Sequence, residues 1–313
     1  MEDFFERLFF APKPYHFCII LLLFPFSLLY GSLMLFRRFL AKREKFSLPV
    51  ISIGNLIVGG SGKTPFVIAL ATRYPGAAIV SRGYGRQSSG LVEVSRRGVI
   101  LASVEESGDE AMLMAKSLPQ CSVIVSENRK MAIHKAIGEG AKLIILDDGF
   151  NRVNIEKFDI VLEPESITNR LPFPAGPFRE FSFVKRYADL VLKENRDFKR
   201  KVFYHNLGPK MLLATAISHP ERLDPYLPDG VVARYYLSDH AYFDEERLGK
   251  RMDECGADTL LVTQKDAVKM EGFGFPLSII QLELEVEEKY WKKIAHTIQR
   301  ESSHIRKKNK NET

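Results

Sequence analysis

Residues 51–70 read ISIGNLIVGGSGKTPFVIAL, and this stretch decides the fold. A short apolar run leads into a glycine cluster that ends in Gly62-Lys63-Thr64, and a second apolar run follows. The order predicts a strand, a phosphate-binding loop and a helix, because the loop N–H groups and the positive end of the helix dipole bind an oxyanion. Lys63 would then reach the terminal phosphates of a nucleotide, and the Thr64 hydroxyl would hold Mg²⁺.

This loop departs from the usual phosphate-binding pattern in one place. The pattern has a glycine five residues before Gly62, and this chain has Ile57 there. Neighbouring glycines supply flexibility instead, so we expect the loop to follow a different path; an ordinary glycine-rich turn is the alternative. The residues predicted to bind nucleotide in this loop are Gly59, Gly60, Ser61, Gly62, Lys63 and Thr64.

The composition is that of a globular protein with room for two lobes. The chain has 313 residues, of which 45% are hydrophobic and 27% are charged. Its three cysteines are far apart and form no C-x-x-C pair, which argues against disulfides and a cysteine-built metal site. The net charge of +6 comes without an interleaved aromatic pattern, so we predict no nucleic-acid partner.

An apolar segment near the start of the chain predicts membrane association. Residues 15–36 contain no Asp, Glu, Lys or Arg, and as a helix they would span about 33 Å against a hydrocarbon core of about 30 Å. Acidic residues at positions 2, 3 and 6 argue against a cleaved secretory signal. A spanning helix and a helix broken near Pro25 that dips into one leaflet both stay open, with a buried core hairpin as the third possibility. The basic residues of 37–45 favour an anionic membrane surface.

After Pro49 the pattern changes to that of an α/β protein. Apolar runs that predict strands lie at Val50–Ile53, Ala77–Val80, Val123–Val125, Leu143–Leu146, Ile160–Leu162, Met211–Ala216, Val231–Tyr236 and Thr259–Val262. Their alternation with helix-length stretches predicts a parallel sheet covered by helices, like that of P-loop NTPases, with a second, smaller α/β lobe. We therefore predict a membrane-associated segment over 1–48, a nucleotide-binding core over 49–205, the smaller lobe over 206–300 and a basic tail over 301–313.

Chemically active residues follow the predicted strands, at the edge where parallel sheets bind ligands. Asp147 and Asp148 follow one run and would hold Mg²⁺, with a simple Asp-Gly turn as the alternative. Arg82 follows another run and would contact phosphate, although a surface turn suits an arginine equally. Arg179 and Glu180 close a proline-rich loop and would extend the phosphate and metal site.

Two further residues are open to a structural or a catalytic interpretation. Ser107 and Glu110 have the spacing of a capping box, which makes Asp109 a helix-start acid. A carboxylate there would also accept a proton from an attacking hydroxyl, and spacing does not choose between these roles. His240 follows a strand of the second lobe, but a lone histidine is more often structural than catalytic.

Taken together, these stretches resemble the tetraacyldisaccharide 4′-kinases, or lipid A 4′-kinases, and the resemblance covers nearly the whole chain. The matching pieces are residues 25–31 (PFSLLYG), 54–56 (GNL), 59–65 (GGSGKTP), 81–85 (SRGYG), 108–110 (GDE), 147–150 (DDGF), 174–180 (PAGPFRE), 239–240 (DH) and 263–269 (TQKDAVK). The phosphate loop without its first glycine is itself a trait of that family.

The resemblance implies ATP-dependent phosphorylation of the 4′ hydroxyl of an acylated glucosamine disaccharide 1-phosphate in lipid A biosynthesis. It implies that Asp109 acts as the base with His240, and that Asp147, Asp148 and Glu180 handle Mg²⁺ and nucleotide. Lys63 would neutralise charge during the transfer. The resemblance also implies that the protein is located at the cytoplasmic face of the bacterial inner membrane. We infer no obligate protein partner.

One segment departs from the family pattern. Residues 151–157 (NRVNIEK) stand where the family usually has Gln-His-Arg and then Arg-Asp, so we expect a divergent branch with altered lipid contacts. Two other functions stay open: a membrane-associated P-loop ATPase or GTPase switch without lipid kinase activity, and a nucleotide-binding scaffold that transfers nothing.

Overall fold

The computed structural model describes residues 2–59 and 62–311, so Gly60 and Ser61 of the glycine loop lie outside the described residues. The helices are α1 (Glu2–Phe10), α2 (His16–Leu40), α3 (Lys63–Thr72), α4 (Val104–Ser107), α5 (Asp109–Ser117), α6 (Arg129–Gly138), α7 (Glu245–Cys255), α8 (Gln264–Ala267) and α9 (Glu288–Asn311). The strands are β1 (Val50–Gly54), β2 (Ala77–Ser81), β3 (Val92–Arg96), β4 (Val99–Ile100), β5 (Ser122–Val125), β6 (Leu143–Asp147), β7 (Phe158–Glu163), β8 (Leu190–Lys193), β9 (Phe198–His205), β10 (Met211–Thr215), β11 (Val231–Tyr236), β12 (Thr259–Thr263) and β13 (Leu277–Val286).

The chain packs as two compact units, each built from separate parts of the sequence. The first comprises Met1–Lys63, Lys142–Lys199 and Val286–Thr313, and the second comprises Thr64–Ala141 and Arg200–Glu285. The domain limits drawn from composition at residues 48, 205 and 300 stay a prediction.

The first unit is organised around four parallel strands in the order β6-β1-β7-β8. All five residues of β1 and all five of β6 are buried, as expected for central strands of a parallel sheet with both faces covered. In register, Ile53 of β1 lies beside Asp147 of β6, so the carboxyl ends of these strands lie together. The segment before the glycine loop and the predicted acidic turn therefore share one edge.

The second unit contains two sets of strands. In the first, β2 and β5 are parallel, and the short β3–β4 hairpin is antiparallel and extends β5. In the second, β11, β10, β12 and β13 are parallel neighbours in that order, and their buried apolar residues pack with α7. All eight strands predicted from apolar runs are present, and the α/β fold class is confirmed.

Helix α2 is the one helix among residues 2–59 and 62–311 that is long and apolar enough to cross a membrane; its mean hydropathy is 2.3 and 11% of its most apolar window is buried. The helix runs unbroken through Pro25, so the break considered from the sequence is wrong. A proline inside a helix removes one main-chain hydrogen bond at a cost of about 3 kcal/mol; the contacts that α2 makes after Pro25, at Ser27, Gly31 and Arg38, hold its second half on the protein.

One face of α2 packs against the proline-rich loop of residues 171–181. The Ser27 hydroxyl donates to the carbonyl of Pro172 at 2.6 Å, and a Cβ on Gly31 would meet the Phe181 ring at 2.7 Å. Near the helix end the Arg38 guanidinium donates to both carboxylate oxygens of Glu180, at 2.9 and 3.0 Å. The opposite side of α2 is exposed and apolar.

Removal of one partner of the buried Arg38–Glu180 pair should destabilise the fold strongly. Their side chains are 5% and 2% exposed, so Arg38→Met would leave a buried carboxylate without its counter-ion and lower the free energy of unfolding by about 3–5 kcal/mol. The control is Arg37→Met, because Arg37 lies 3.9 Å from Glu180 but is 48% exposed; it should cost less than about 1 kcal/mol. Urea unfolding of the detergent-solubilised protein measures both, and equal losses would contradict this role.

Candidate active site

The acidic turn after β6 packs directly on β1. The Gly149 N–H donates to the carbonyl of Ile53 at 3.1 Å. A Cβ on Gly149 would lie 2.6 Å from the Ser52 hydroxyl, and one on Gly54 would lie 2.5 Å from the Phe150 Cβ. Both positions therefore need glycine. The contact fixes the turn beside the strand that leads into the glycine loop.

Two cations flank the second aspartate of this turn. Asp148 adopts a left-handed backbone with φ +50°. One of its oxygens lies 3.7 Å from the Lys63 ammonium, and the other accepts a hydrogen bond from Arg179 at 2.6 Å. Two positive side chains thus face one carboxylate. The two side chains carry one more positive charge than this carboxylate neutralises, and that net charge favours binding of the phosphates of a nucleotide.

The glycine loop has the backbone features of an anion site. Gly59 and Gly62 have φ values of +94° and +80°, which residues with a Cβ rarely adopt. Helix α3 begins at Lys63 and has no acidic residue in its first turn to neutralise its dipole. These features fit a triphosphate. Thr64 is the second residue of the helix and half-buried.

The remaining predicted metal ligands lie in different surroundings. Asp147 ends β6 and is 4% exposed, so it stays a candidate for holding Mg²⁺. Both oxygens of Glu180 are instead engaged by Arg38, whose guanidinium also lies over the Phe150 ring at 4.6 Å. The structure therefore brings Lys63, Asp148 and Arg179 together, and Glu180 supports them through its neighbour Arg179.

The capping box predicted for Ser107 and Glu110 is wrong. Ser103 and Glu106 form the box instead and begin the short helix α4. Gly108, with φ +84°, ends α4 and is also the N-cap of α5, so the turn in the backbone falls one residue before Asp109. A Cβ at Gly108 would lie 2.6 Å from the Tyr84 carbonyl oxygen. Asp109 is thereby fixed as the first residue of α5.

Asp109 and His240 are brought together from positions 131 residues apart. The Nδ1 atom of His240 lies 3.0 Å from both oxygens of Asp109, which is 3% exposed. The Tyr84 ring packs on the imidazole with centroids 4.9 Å apart. His240 adopts φ +61°, and its N–H donates to the carbonyl of Ala216. The strained backbone aims the ring at the carboxylate.

The surroundings keep Asp109 ionised. Burial alone raises the pKa of its carboxyl, but the hydrogen bond from His240 and the charges of Lys265 and Lys269 outweigh burial and hold the pKa below its usual value. Lys265 also lies 3.3 Å from Nε2 of His240. An ionised carboxylate only accepts, so the hydrogen bond between Asp109 and His240 is donated by Nδ1.

No role was predicted from the sequence for the two lysines of residues 263–269. Lys265 and Lys269 lie 3.8 and 3.7 Å from Asp109. Their spacing of four places them on one face of a helical turn, and this was the available signal.

Arg82 lies in the same loop as Tyr84 and is exposed, as a surface turn predicts.

Fold and site together define an α/β phosphotransferase with a modified phosphate-binding loop and a buried Asp–His pair. The family model for tetraacyldisaccharide-1-P 4′-kinase matches residues 19–300. The chain therefore belongs to this kinase family, and the family resemblance read from the motifs is confirmed.

Individual relatives agree over almost the full length. The tetraacyldisaccharide 4′-kinase of Helicobacter acinonychis is 45% identical over 95% of each chain, and that of Aliarcobacter butzleri is 43% identical over 90% of this chain and 92% of its own. The solved structure of LpxK from Aquifex aeolicus, a complex with ATP, has a TM-score of 0.76 and 29% identity, covering 90% of this chain and 99% of that one.

The packing of the 81–85 loop on His240 gives a test of site geometry. Gly85 has φ +75° and a Cβ there would lie 3.2 Å from the imidazole, so Gly85→Ala should displace His240 from Asp109 and lower turnover on the order of tenfold or more. Gly90→Ala is the matched control, since Gly90 has φ +76° and nothing within 4 Å of its added Cβ. Equal turnover of the two variants in a phosphotransfer assay would contradict the proposed importance of this contact.

Proposed function

We propose that this protein transfers the γ-phosphoryl group of ATP to the 4′ hydroxyl of a tetraacyl glucosamine disaccharide 1-phosphate. The observation that carries the proposal is the Asp109–His240 pair: a buried, ionised carboxylate with its hydrogen-bond partner, in a chain of the 4′-kinase family. A protein that only binds nucleotide has no need of such a group.

Lys63 and Arg179 are proposed to bind the phosphates of the substrate ATP, together with the N–H groups of residues 59–64. Their charges oppose the negative charge of the transferred group, which is the main requirement of phosphoryl transfer. Asp148 holds both cations in place through its two oxygens. Thr64, Asp147 and Asp148 would hold Mg²⁺, which would neutralise further charge on the phosphate oxygens.

Asp109 is proposed to accept the proton of the 4′ hydroxyl. That oxygen forms its bond to the γ-phosphorus while the bond from this phosphorus to the β–γ bridging oxygen breaks, and ADP leaves. His240 holds the carboxylate through its Nδ1 hydrogen. A carboxylate with a lowered pKa is a weak base, which suits a loose transition state in which the hydroxyl loses its proton late.

Single substitutions separate lipid phosphorylation from nucleotide hydrolysis. With labelled ATP and the purified acceptor, Asp109→Asn and His240→Ala should lose at least 10²-fold in lipid phosphorylation while retaining ATP affinity. Lys63→Ala should lose both transfer and affinity. Wild-type rates in all three would overturn the assignment, and ATP hydrolysis that is indifferent to the lipid would favour the switch alternative.

The long apolar helix α2 supports membrane association, and we propose attachment to the cytoplasmic face of the bacterial inner membrane. Large apolar side chains project from α2 into solvent, with Leu21, Leu22 and Phe39 at 74%, 72% and 66% exposure. Ser27, Gly31 and Arg38 face the protein instead. A helix with one side held by its own domain is suited to partial insertion into one leaflet, close to an acylated acceptor.

Charges on the exposed side of α2 should weaken membrane binding. Leu21→Glu with Leu29→Glu should reduce sedimentation with phosphatidylethanolamine–phosphatidylglycerol vesicles at least tenfold, because both side chains are at least 60% exposed. Val232→Glu is the control, being 46% exposed on strand β11 in the other unit. Unchanged sedimentation of the α2 variant would contradict membrane attachment through this face.

A further inference from the structure

Lys269 lies at the centre of the charged cluster around Asp109, and it has no part in the function proposed above. Its side chain is 1% exposed. The ammonium lies 3.7 Å from an Asp109 oxygen and 3.0 Å from an Asp266 oxygen, and it donates to the carbonyl of Ala241 at 3.1 Å. Because it is enclosed, it is a group that acts through its neighbours.

Each of these three contacts fixes a different part of the site. The contact to Asp109 holds the candidate base, and the contact to Ala241 holds the backbone of the residue that follows His240. Asp266 is 0% exposed and also accepts from the hydroxyls of Thr215 and Thr263. The third contact therefore ties the lysine to the ends of strands β10 and β12, whose central residues are buried in the second unit.

We propose that Lys269 is a positioning residue for phosphoryl transfer, whose buried ammonium group holds the Asp109 carboxylate and the backbone beside His240 in their reactive arrangement. The inference rests on the proposed role of Asp109 as base. It assigns a purpose to the last residue of the segment 263–269 (TQKDAVK), which spacing alone left without one.

Lys265 is the natural comparison because it also faces Asp109. Its side chain is 18% exposed, and it is shared among the carboxylates of Asp109, Glu110 and Asp239. A substrate group can reach Lys265, whereas Lys269 is enclosed. The charged and titratable groups around Asp109 are His240, Lys265, Lys269, Glu110, Asp239, Asp266 and Tyr242.

The pH dependence of transfer distinguishes positioning from simple folding support. Asp109 must be deprotonated to act, so activity is present above its pKa and falls as the pH drops through it. Lys269→Met removes one of the charges that lower this pKa, so the acid limb of kcat/KM should move to higher pH by about one unit. Lys269→Arg keeps the charge and should keep the limb near its wild-type position.

A double variant removes the effect of leaving Asp266 unpaired. Asp266→Asn with Lys269→Met makes the buried pair neutral and should recover thermal stability, while the acid limb stays displaced. Lys116→Met is the control, because Lys116 lies on α5 like Asp109 but pairs with the exposed Glu271 at 2.6 Å. A wild-type pH profile in the folded double variant would overturn the proposal.

A readout without turnover separates this proposal from the proposed function. Titration of the ¹³C-labelled Asp109 carboxyl, assigned by difference from Asp109→Asn, should move to higher pH in Lys269→Met and not in Lys116→Met. An unchanged carboxyl titration would overturn the role of Lys269. Suppose instead that the Asp109 titration is displaced in Lys269→Met but Asp109→Asn keeps full lipid kinase activity. That result would overturn the role of Asp109 as base and leave the effect of Lys269 on Asp109 standing.

Discussion

The first unit depends on the buried ion pair between Arg38 and Glu180. Arg38 comes from the apolar helix α2, and Glu180 ends the proline-rich loop. The same guanidinium covers the ring of Phe150, which belongs to the acidic turn after β6. Arg179, beside Glu180 in the chain, bonds to Asp148 in that turn. One contact therefore links the apolar helix α2 to the residues proposed to bind phosphate.

This arrangement explains why an enzyme for a lipid acceptor holds its apolar helix through polar contacts. Lipid and protein compete for apolar surface on α2, and apolar packing alone would not favour one over the other. A hydrogen bond at Ser27 and a charged pair at Arg38 choose the side that faces the protein. The large apolar side chains on the other side of α2 remain exposed.

In the second unit the governing constraint is the burial of charge. Asp109, Asp266 and Lys269 are nearly or fully enclosed, so each ionised group needs its partner. The result is a carboxylate held in one orientation and kept ionised. Preorganised charge of this kind is the usual source of catalytic advantage in phosphoryl transfer.

The segment that departs from the family pattern is part of the scaffold of the first unit. Val153 and Ile155 are buried, and the Asn151 carbonyl accepts from Arg37 near the end of α2. Glu156 pairs with Lys45. Altered lipid contacts at residues 151–157 stay a prediction.

The sequence predicted the parts of this protein that depend on local pattern. Central strands such as β1 and β6 are continuous apolar runs, and the glycine loop and acidic turn follow them directly. Strand β9 is mostly exposed, and only alternate residues of β13 are buried, so both strands mix polar and apolar residues and neither was predicted. The start of α5 was misjudged because Gly108, and not Ser107, divides two helices.

The pairing of Asp109 with His240 could not follow from spacing, because strands of the fold and not the local sequence bring them together. Only the family resemblance suggested it. The enclosed lysine was harder still to predict, since a lysine in a polar segment usually faces solvent.

The most direct test of the account is the site of phosphorylation on the acceptor. Purified protein, ATP and Mg²⁺ are incubated with tetraacyl disaccharide 1-phosphate, and the product is examined by ³¹P and ¹H NMR. The account predicts a new phosphomonoester whose phosphorus couples to the proton at the 4′ carbon. Inorganic phosphate alone, or a phosphate on another hydroxyl, would contradict it.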